Sequence, residues 1–225
     1  MFSSRFFRFA AICAIASALT TFGVHLLPLL HPATTFEQQL LLSQNPIYKL
    51  RLWFVLIHIF FVLVSMWGFA AVKYKTAAGW IGLGLAGYGL FGLAEFFRIS
   101  FALNAITPWR ARMLTESDPQ IRAYLKEYLL SWPQINDALF FLLVLGFLLG
   151  NVFYAIATAK SKGMEKWISN LLFIWALLGC ITLFHEFLNQ QWLNFVPEFV
   201  SYTYQPFVRV VIGIWLWKEA KTQTG

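Results

Sequence analysis

At 225 residues, the chain is 59% hydrophobic and 19% aromatic, with only 12% charged residues, about half the charged share of an ordinary soluble domain. A water-soluble fold of this size cannot hide so much apolar surface, so the expected class is an all-α polytopic membrane bundle, with residues 1–225 forming one integral membrane domain. The net charge of +7 does not point to nucleic acid, because the basic residues stand in short runs between apolar segments, where they act as topology signals.

In chain order, the first apolar segment is Phe9–Leu30, preceded by Arg5 and Arg8 and containing Ala16-Ser17-Ala18, which has the look of a cleavage site. The apolar run continues well past the length of a signal-peptide core, so it is expected to stay in place as a membrane helix. Ile12 directly before Cys13 speaks against a lipoprotein site. Thr35 and Gln38 then have capping-box spacing, predicting a short helix over Phe36–Ser43 that Asn45-Pro46 ends.

Leu52–Val72 and Ala77–Leu103 are the second and third predicted crossings. Ala78, Gly82 and Ala86 give the third a small-xxx-small stripe, which predicts close helix approach and a central place in the bundle. In the connection that follows, Asp118 is a predicted cap and Pro119 a first helical residue. The helix so begun puts Ile121, Leu125, Tyr128, Leu129 and Trp132 on one face and Arg122 and Lys126 on the other. It is expected to be a short helix lying in the outer interface.

Ala138–Ala159, Trp167–Phe187 and Phe199–Trp217 complete six predicted transmembrane helices. Backbone groups in hydrocarbon must bond within their own segment, and continuous apolar runs of this length are unlike the alternating pattern of barrel strands. Cys13 and Cys180 both lie inside such runs, without a CxxC pattern, so no disulfide framework is expected.

With both termini inside, nine basic residues (Arg5, Arg8, Lys73, Lys75, Lys160, Lys162, Lys166, Lys218 and Lys221) face the cytoplasm, against six (Lys49, Arg51, Arg110, Arg112, Arg122 and Lys126) outside. The positive-inside rule therefore predicts N-in and C-in. Trp67, Trp80, Trp167, Trp215 and Trp217 then fall at inner helix ends and Trp53, Trp109, Trp132 and Trp192 at outer ones, as aromatic belts do. The last outer loop, Leu188–Pro197, has no Lys or Arg, and Asn189 in it is expected to be reachable from outside.

An ionisable side chain in hydrocarbon costs roughly 2.5–3.5 kcal/mol on insertion scales, so each one needs a partner or water. Under N-in topology His25, His58, Glu95, Arg98, His185 and Glu186 all fall in the outer half, Asp137 and Glu198 stand at outer helix ends, and Arg209 lies near mid-membrane. Glu198, Tyr202, Gln205 and Arg209 recur at i, i+4, i+7 and i+11 and line one helix face. The expected centre is a Glu95–Arg209 ion pair with Arg98 one turn above Glu95. The predicted pocket comprises His58, Glu95, Arg98, His185, Glu186, Tyr202, Gln205 and Arg209. Pro206 is expected to kink the last helix beside it. The stripes Ser17, Thr21, His25 and Asn151, Tyr154, Thr158 read as packing.

Three functions fit these residues. A pocket of mixed acid, base and tyrosine character suits binding or transport of a small solute or proton; a bundle this short calls for a homo-oligomer if it transports, with the bilayer as its other partner. A metal or haem centre built on His58, His185 and Glu186 has the right donor types but no HExxH spacing. A structural or partner-binding protein, with ion pairs setting bundle register, is the third. The order of elements resembles uncharacterised bacterial six-helix membrane families, most closely in the step from Asn151 through Tyr154, the basic loop Lys160–Lys166 and the helix beginning at Trp167. That likeness of layout implies a bacterial inner-membrane protein and assigns no catalytic residue.

Overall fold

The computed structural model describes residues 2–188 and 195–222; Asn189, Trp192 and most of the loop Leu188–Pro197 lie outside them. The chain is 93% helix, without strands among the described residues. The main helices are α1 Ser4–Leu26, α2 Phe36–Leu41, α3 Pro46–Phe101, α4 Thr107–Thr115, α5 Pro119–Thr158, α6 Met164–Leu188, α7 Phe195–Phe199 and α8 Gln205–Thr222. Four helical stretches among the described residues are long and apolar enough to cross a membrane, namely Ser4–Leu30, Pro46–Thr115, Pro119–Thr158 and Met164–Leu188.

The predicted crossings Leu52–Val72 and Ala77–Leu103 share one of these stretches. Ala77, at φ −150° and ψ 42°, breaks α3 into two arms. The second arm folds back on the first: Gly92 meets Leu63, and Leu52, Val55 and Ile59 pack in one cluster with Ile99 and Ala102. The sixth predicted segment corresponds to α7, a π turn at Val200–Tyr204, and α8. Arg209, Lys218, Glu219 and Lys221 make α8 more polar than the other four stretches.

The surface of the bundle is that of a protein solvated by lipid. Leu19 is 67% exposed, Leu177 62% and Leu93 59%, an apolar exterior that water would not tolerate over such an extent. Inside, Phe69 stacks on Tyr154 at 4.6 Å, and Trp175, Ile168, Leu172, Val208 and Ile212 are fully enclosed.

The outer-interface helix is not separate. Asp118 caps it through the Gln120 and Ile121 amides, Leu125 and Leu129 are buried while Arg122 and Lys126 are exposed, but α5 runs on unbroken through Pro133 for 40 residues. A helix of that length spans about 60 Å, twice the hydrocarbon thickness. The polar run Ser131–Asp137 does not end it, because a helix satisfies its backbone internally whatever its side chains meet. The capping box at Thr35 and Gln38 forms as expected, and Asn45 caps α3 through Ile47 and Tyr48.

The glycine stripe is also reassigned. Ala78, Gly82 and Ala86 are exposed, and a Cβ on Gly82 would meet nothing within 4 Å. Close approach occurs one face around, where a Cβ on Gly87 would lie 2.5 Å from the Gly150 amide nitrogen and 2.8 Å from the Gly146 carbonyl. The second arm of α3 thus touches α5 backbone to backbone.

One end of the bundle collects the break in α3, the α5–α6 turn, the first turn of α1 and the last turn of α8. Ser4 Oγ donates to the Ala220 carbonyl at 2.9 Å, and Lys73 pairs with Glu165 at 2.7 Å while reaching Ser161 at 3.3 Å. Gly163, at φ +60°, makes the α5–α6 turn, a conformation glycine adopts without strain. At this end Glu219 is held above the usual carboxylate range by burial and by the neighbouring Glu165. The opposite end is roofed by α2, α4 and the first turns of α5.

Candidate polar pocket and buried arginine

The predicted pocket divides into two centres. Glu95 does not pair with Arg209. Both its oxygens take Arg98, Oε1 accepting from Nη2 at 2.6 Å and Oε2 from Nε, while Arg98 Nη1 donates to Asn136 Oδ1 at 3.2 Å. One turn separates Glu95 from Arg98 on the same helix, and a bidentate guanidinium–carboxylate pair at i, i+3 needs no second helix to form.

Arg209, 1% exposed, is held by neutral groups instead. Its Nη1 donates to the Ser17 carbonyl at 3.2 Å, Thr21 Oγ1 at 3.3 Å and His58 Nε2 at 3.0 Å, and its guanidinium lies 5.8 Å from the Trp175 ring centre. Nε and Nη2 have no hydrogen-bond partner among the described residues. Because arginine only donates, His58 Nε2 must accept, which leaves its proton on Nδ1 facing Thr20 Oγ1 at 2.8 Å. Thr20 in turn donates to the Ala16 carbonyl at 3.0 Å. The Ser17–Thr21 stripe, read from sequence as packing, is therefore the cradle of Arg209 and ties α1, α3 and α8 together.

Both nitrogens of His58 are thus occupied, which does not fit a metal or haem ligand. His185 bonds Glu186 at 3.1 Å near the end of α6, and no group of three His, Cys, Asp or Glu that could hold a metal occurs among the described residues. Tyr202 reaches the His25 carbonyl at 3.3 Å, Gln205 is half-buried and Glu198 exposed. The i, i+4, i+7, i+11 face fails because the π turn Val200–Tyr204 inserts a residue and rotates Glu198 away from the Arg209 side. Pro206 follows this turn, as Pro108 follows a second π turn at Ala102–Ile106; each proline lacks the amide that an α-turn requires.

Beyond the Glu95–Arg98 pair, at the roofed end, lies a cavity of about 330 Å³. It is lined by Tyr48, Arg51, Leu52, Arg98 and Ile99 of α3, by Arg110 of α4, and by Trp132, Asn136 and Asp137 of α5. Arg110 is buried at 7% exposure, donates to Tyr48 Oη at 3.0 Å and lies 5.6 Å from the Tyr48 ring centre. His31 packs edge-on to the same ring at 5.7 Å.

Of the eight predicted pocket residues, only Arg98 lines this cavity, joined by Asp137, which the sequence placed at an outer helix end. Arg51 and Arg110 carried weight in the sequence as topology charges alone, and Tyr48 and Asn136 as nothing. Their meeting depends on contacts 38 to 62 residues apart, which no local pattern reports. Comparison with protein-family models, curated proteins and solved structures finds no match to this chain.

Proposed function

We propose that the chain is a single integral membrane domain crossing a bacterial inner membrane six times, N-in and C-in, that binds a small solute in the cavity at its outer end. The observation that carries this is the cavity itself, which sits among charged and hydrogen-bonding side chains at the end of the bundle opposite the Lys73–Glu165 closure. Solute sites in helical bundles combine such concavity with a few convergent polar groups.

Six crossings are supported by the two arms of α3, each longer than the hydrocarbon is thick, and by α8, which lies along α1 with Gly213 against the Ala11 carbonyl. The basic residues near the α3 break and the α5–α6 turn favour that end as cytoplasmic. The bacterial membrane rests on the layout resemblance. Arg209, enclosed and clamped by α1 and α3, supports a second, structural role for the inner centre, setting helix register rather than meeting solute.

The test is cysteine labelling in a Cys13→Ala, Cys180→Ala background. Ser117→Cys, between α4 and α5, and Ala33→Cys, on the cavity wall, are expected to react with an impermeant maleimide in intact cells. Lys162→Cys is expected to react only after lysis. The reverse pattern for Ser117 and Lys162 inverts the topology; an unlabelled Ala33→Cys removes the outward-open cavity.

A further inference from the structure

We infer that the cavity takes an oxyanion, a carboxylate or phosphate group, held between Arg51 and Arg110; this rests on the solute-binding reading above. Three arginines line the cavity, Arg51, Arg98 and Arg110. Glu95 is paired directly with Arg98. Asp137, also on the lining, is exposed and accepts from the Asn136 side-chain amide at 3.3 Å. Arg110 has only the neutral Tyr48 hydroxyl, and Arg51 has no hydrogen bond or ion pair among the described residues, its Nε being buried without a partner.

Two permanently charged groups are therefore held at a partly desolvated site with no carboxylate paired to either among the described residues. A guanidinium so placed is costly unless an acceptor arrives. The planar fork of arginine matches the paired oxygens of carboxylate and phosphate, and two forks on one group leave few of its lone pairs unmet. A cavity of about 330 Å³ suits a small anion or the headgroup of one lipid. The two sources share this chemistry and differ only in what is attached to the oxyanion.

The experiment uses the full chain. In detergent, inorganic phosphate and succinate are titrated against the thermal unfolding midpoint of the wild type, Arg51→Gln, Arg110→Gln and the exposed Arg112→Gln. A saturable upward shift is expected in the wild type and Arg112→Gln, with the apparent dissociation constant raised about tenfold to a hundredfold in the other two, the worth of one charge-assisted hydrogen-bonding group. Ligand-free Arg51→Gln is expected to melt no lower than the wild type, since the change removes an uncompensated charge. Should either glutamine variant fail to fold, Arg51→Lys keeps the charge without the fork and is expected to bind more weakly than the wild type.

In nanodiscs of mixed phosphatidylglycerol and phosphatidylcholine, native mass spectrometry assigns the source. A phosphatidylglycerol retained by the wild type but lost in Arg51→Gln, without response to the free anions, marks a lipid headgroup site. Absence of both responses, or binding unchanged in Arg51→Gln and Arg110→Gln, overturns the inference. Labelling at Ala33→Cys then separates the failures: a reactive cysteine leaves the outward cavity standing and removes only its oxyanion, whereas an unreactive one removes both.

Discussion

Replacing Arg209 distinguishes a carboxylate-paired arginine from one clamped by neutral groups. Arg209→Met keeps most of the side-chain length and removes the charge. Three hydrogen bonds from Nη1 are lost, about 2 kcal/mol in all at the roughly 0.6 kcal/mol each found inside membrane proteins. The contact with Trp175 adds about 1 kcal/mol. Against this, removal of the guanidinium recovers roughly 2.5–3.5 kcal/mol of insertion cost. The two sides nearly cancel, so the variant is expected to lie within about 1 kcal/mol of the wild type. A severed buried ion pair would instead cost about 3–5 kcal/mol. The assay is equilibrium unfolding in mixed detergent micelles, run as two double-mutant cycles. Arg209→Met with His58→Leu is expected to couple by about 1 kcal/mol, and Arg209→Met with Glu95→Gln by less than about 0.5 kcal/mol, since partners couple and separated sites add. Strong coupling to Glu95 with none to His58 would refute the neutral clamp and restore the ion pair expected from sequence.

Two further outcomes follow from the packing and from the α4–α5 turn. Gly87→Ala places a Cβ against the backbone of Gly146 and Gly150 and is expected to cost about 1–3 kcal/mol, whereas Gly82→Ala, facing open space, is expected to be neutral or to gain up to about 1 kcal/mol from helix propensity; unfolding midpoints that do not separate the pair would undo the α3–α5 contact. The Glu116 carboxylate, between the apolar stretches that end at Thr115 and begin at Pro119, is held below its usual range by the Asp118 amide, and next by Arg112. A lowered carboxyl pKa stabilises the α4–α5 turn above the unfolded-state value near 4.5, and that contribution is lost as pH falls through the folded value. Amide exchange at Ser117 and Asp118 should therefore quicken on acidification. Arg112→Ala should raise the Glu116 midpoint only in part, and a complete return to the ordinary value would transfer the cause to Arg112.

Much of the chain is legible from local rules. Apolar runs longer than a bilayer is thick require helices, because backbone groups in lipid have no other partner, and the caps at Thr35, Asn45 and Asp118 follow from side chains that reach their own first turn. The Glu95–Arg98 spacing is legible for the same reason, as residues one turn apart on a helix share a face. Choice of partner is not. Glu95 had two arginines available, and the one on its own helix won by proximity, while Arg209 was placed against α1 by a π turn that the i, i+4 pattern cannot register. The small residues of α3 lie on two faces, and only the position of α5 decided that Gly87, and not Gly82, is the contact. Composition and hydropathy by themselves determined an all-helical protein with helices long and apolar enough to cross a membrane. The tertiary structure alone decided that Arg51, Arg98 and Arg110 share one cavity, because groups 12 to 59 residues apart in sequence meet only when α3 folds back at Ala77 and α4 closes over its two ends.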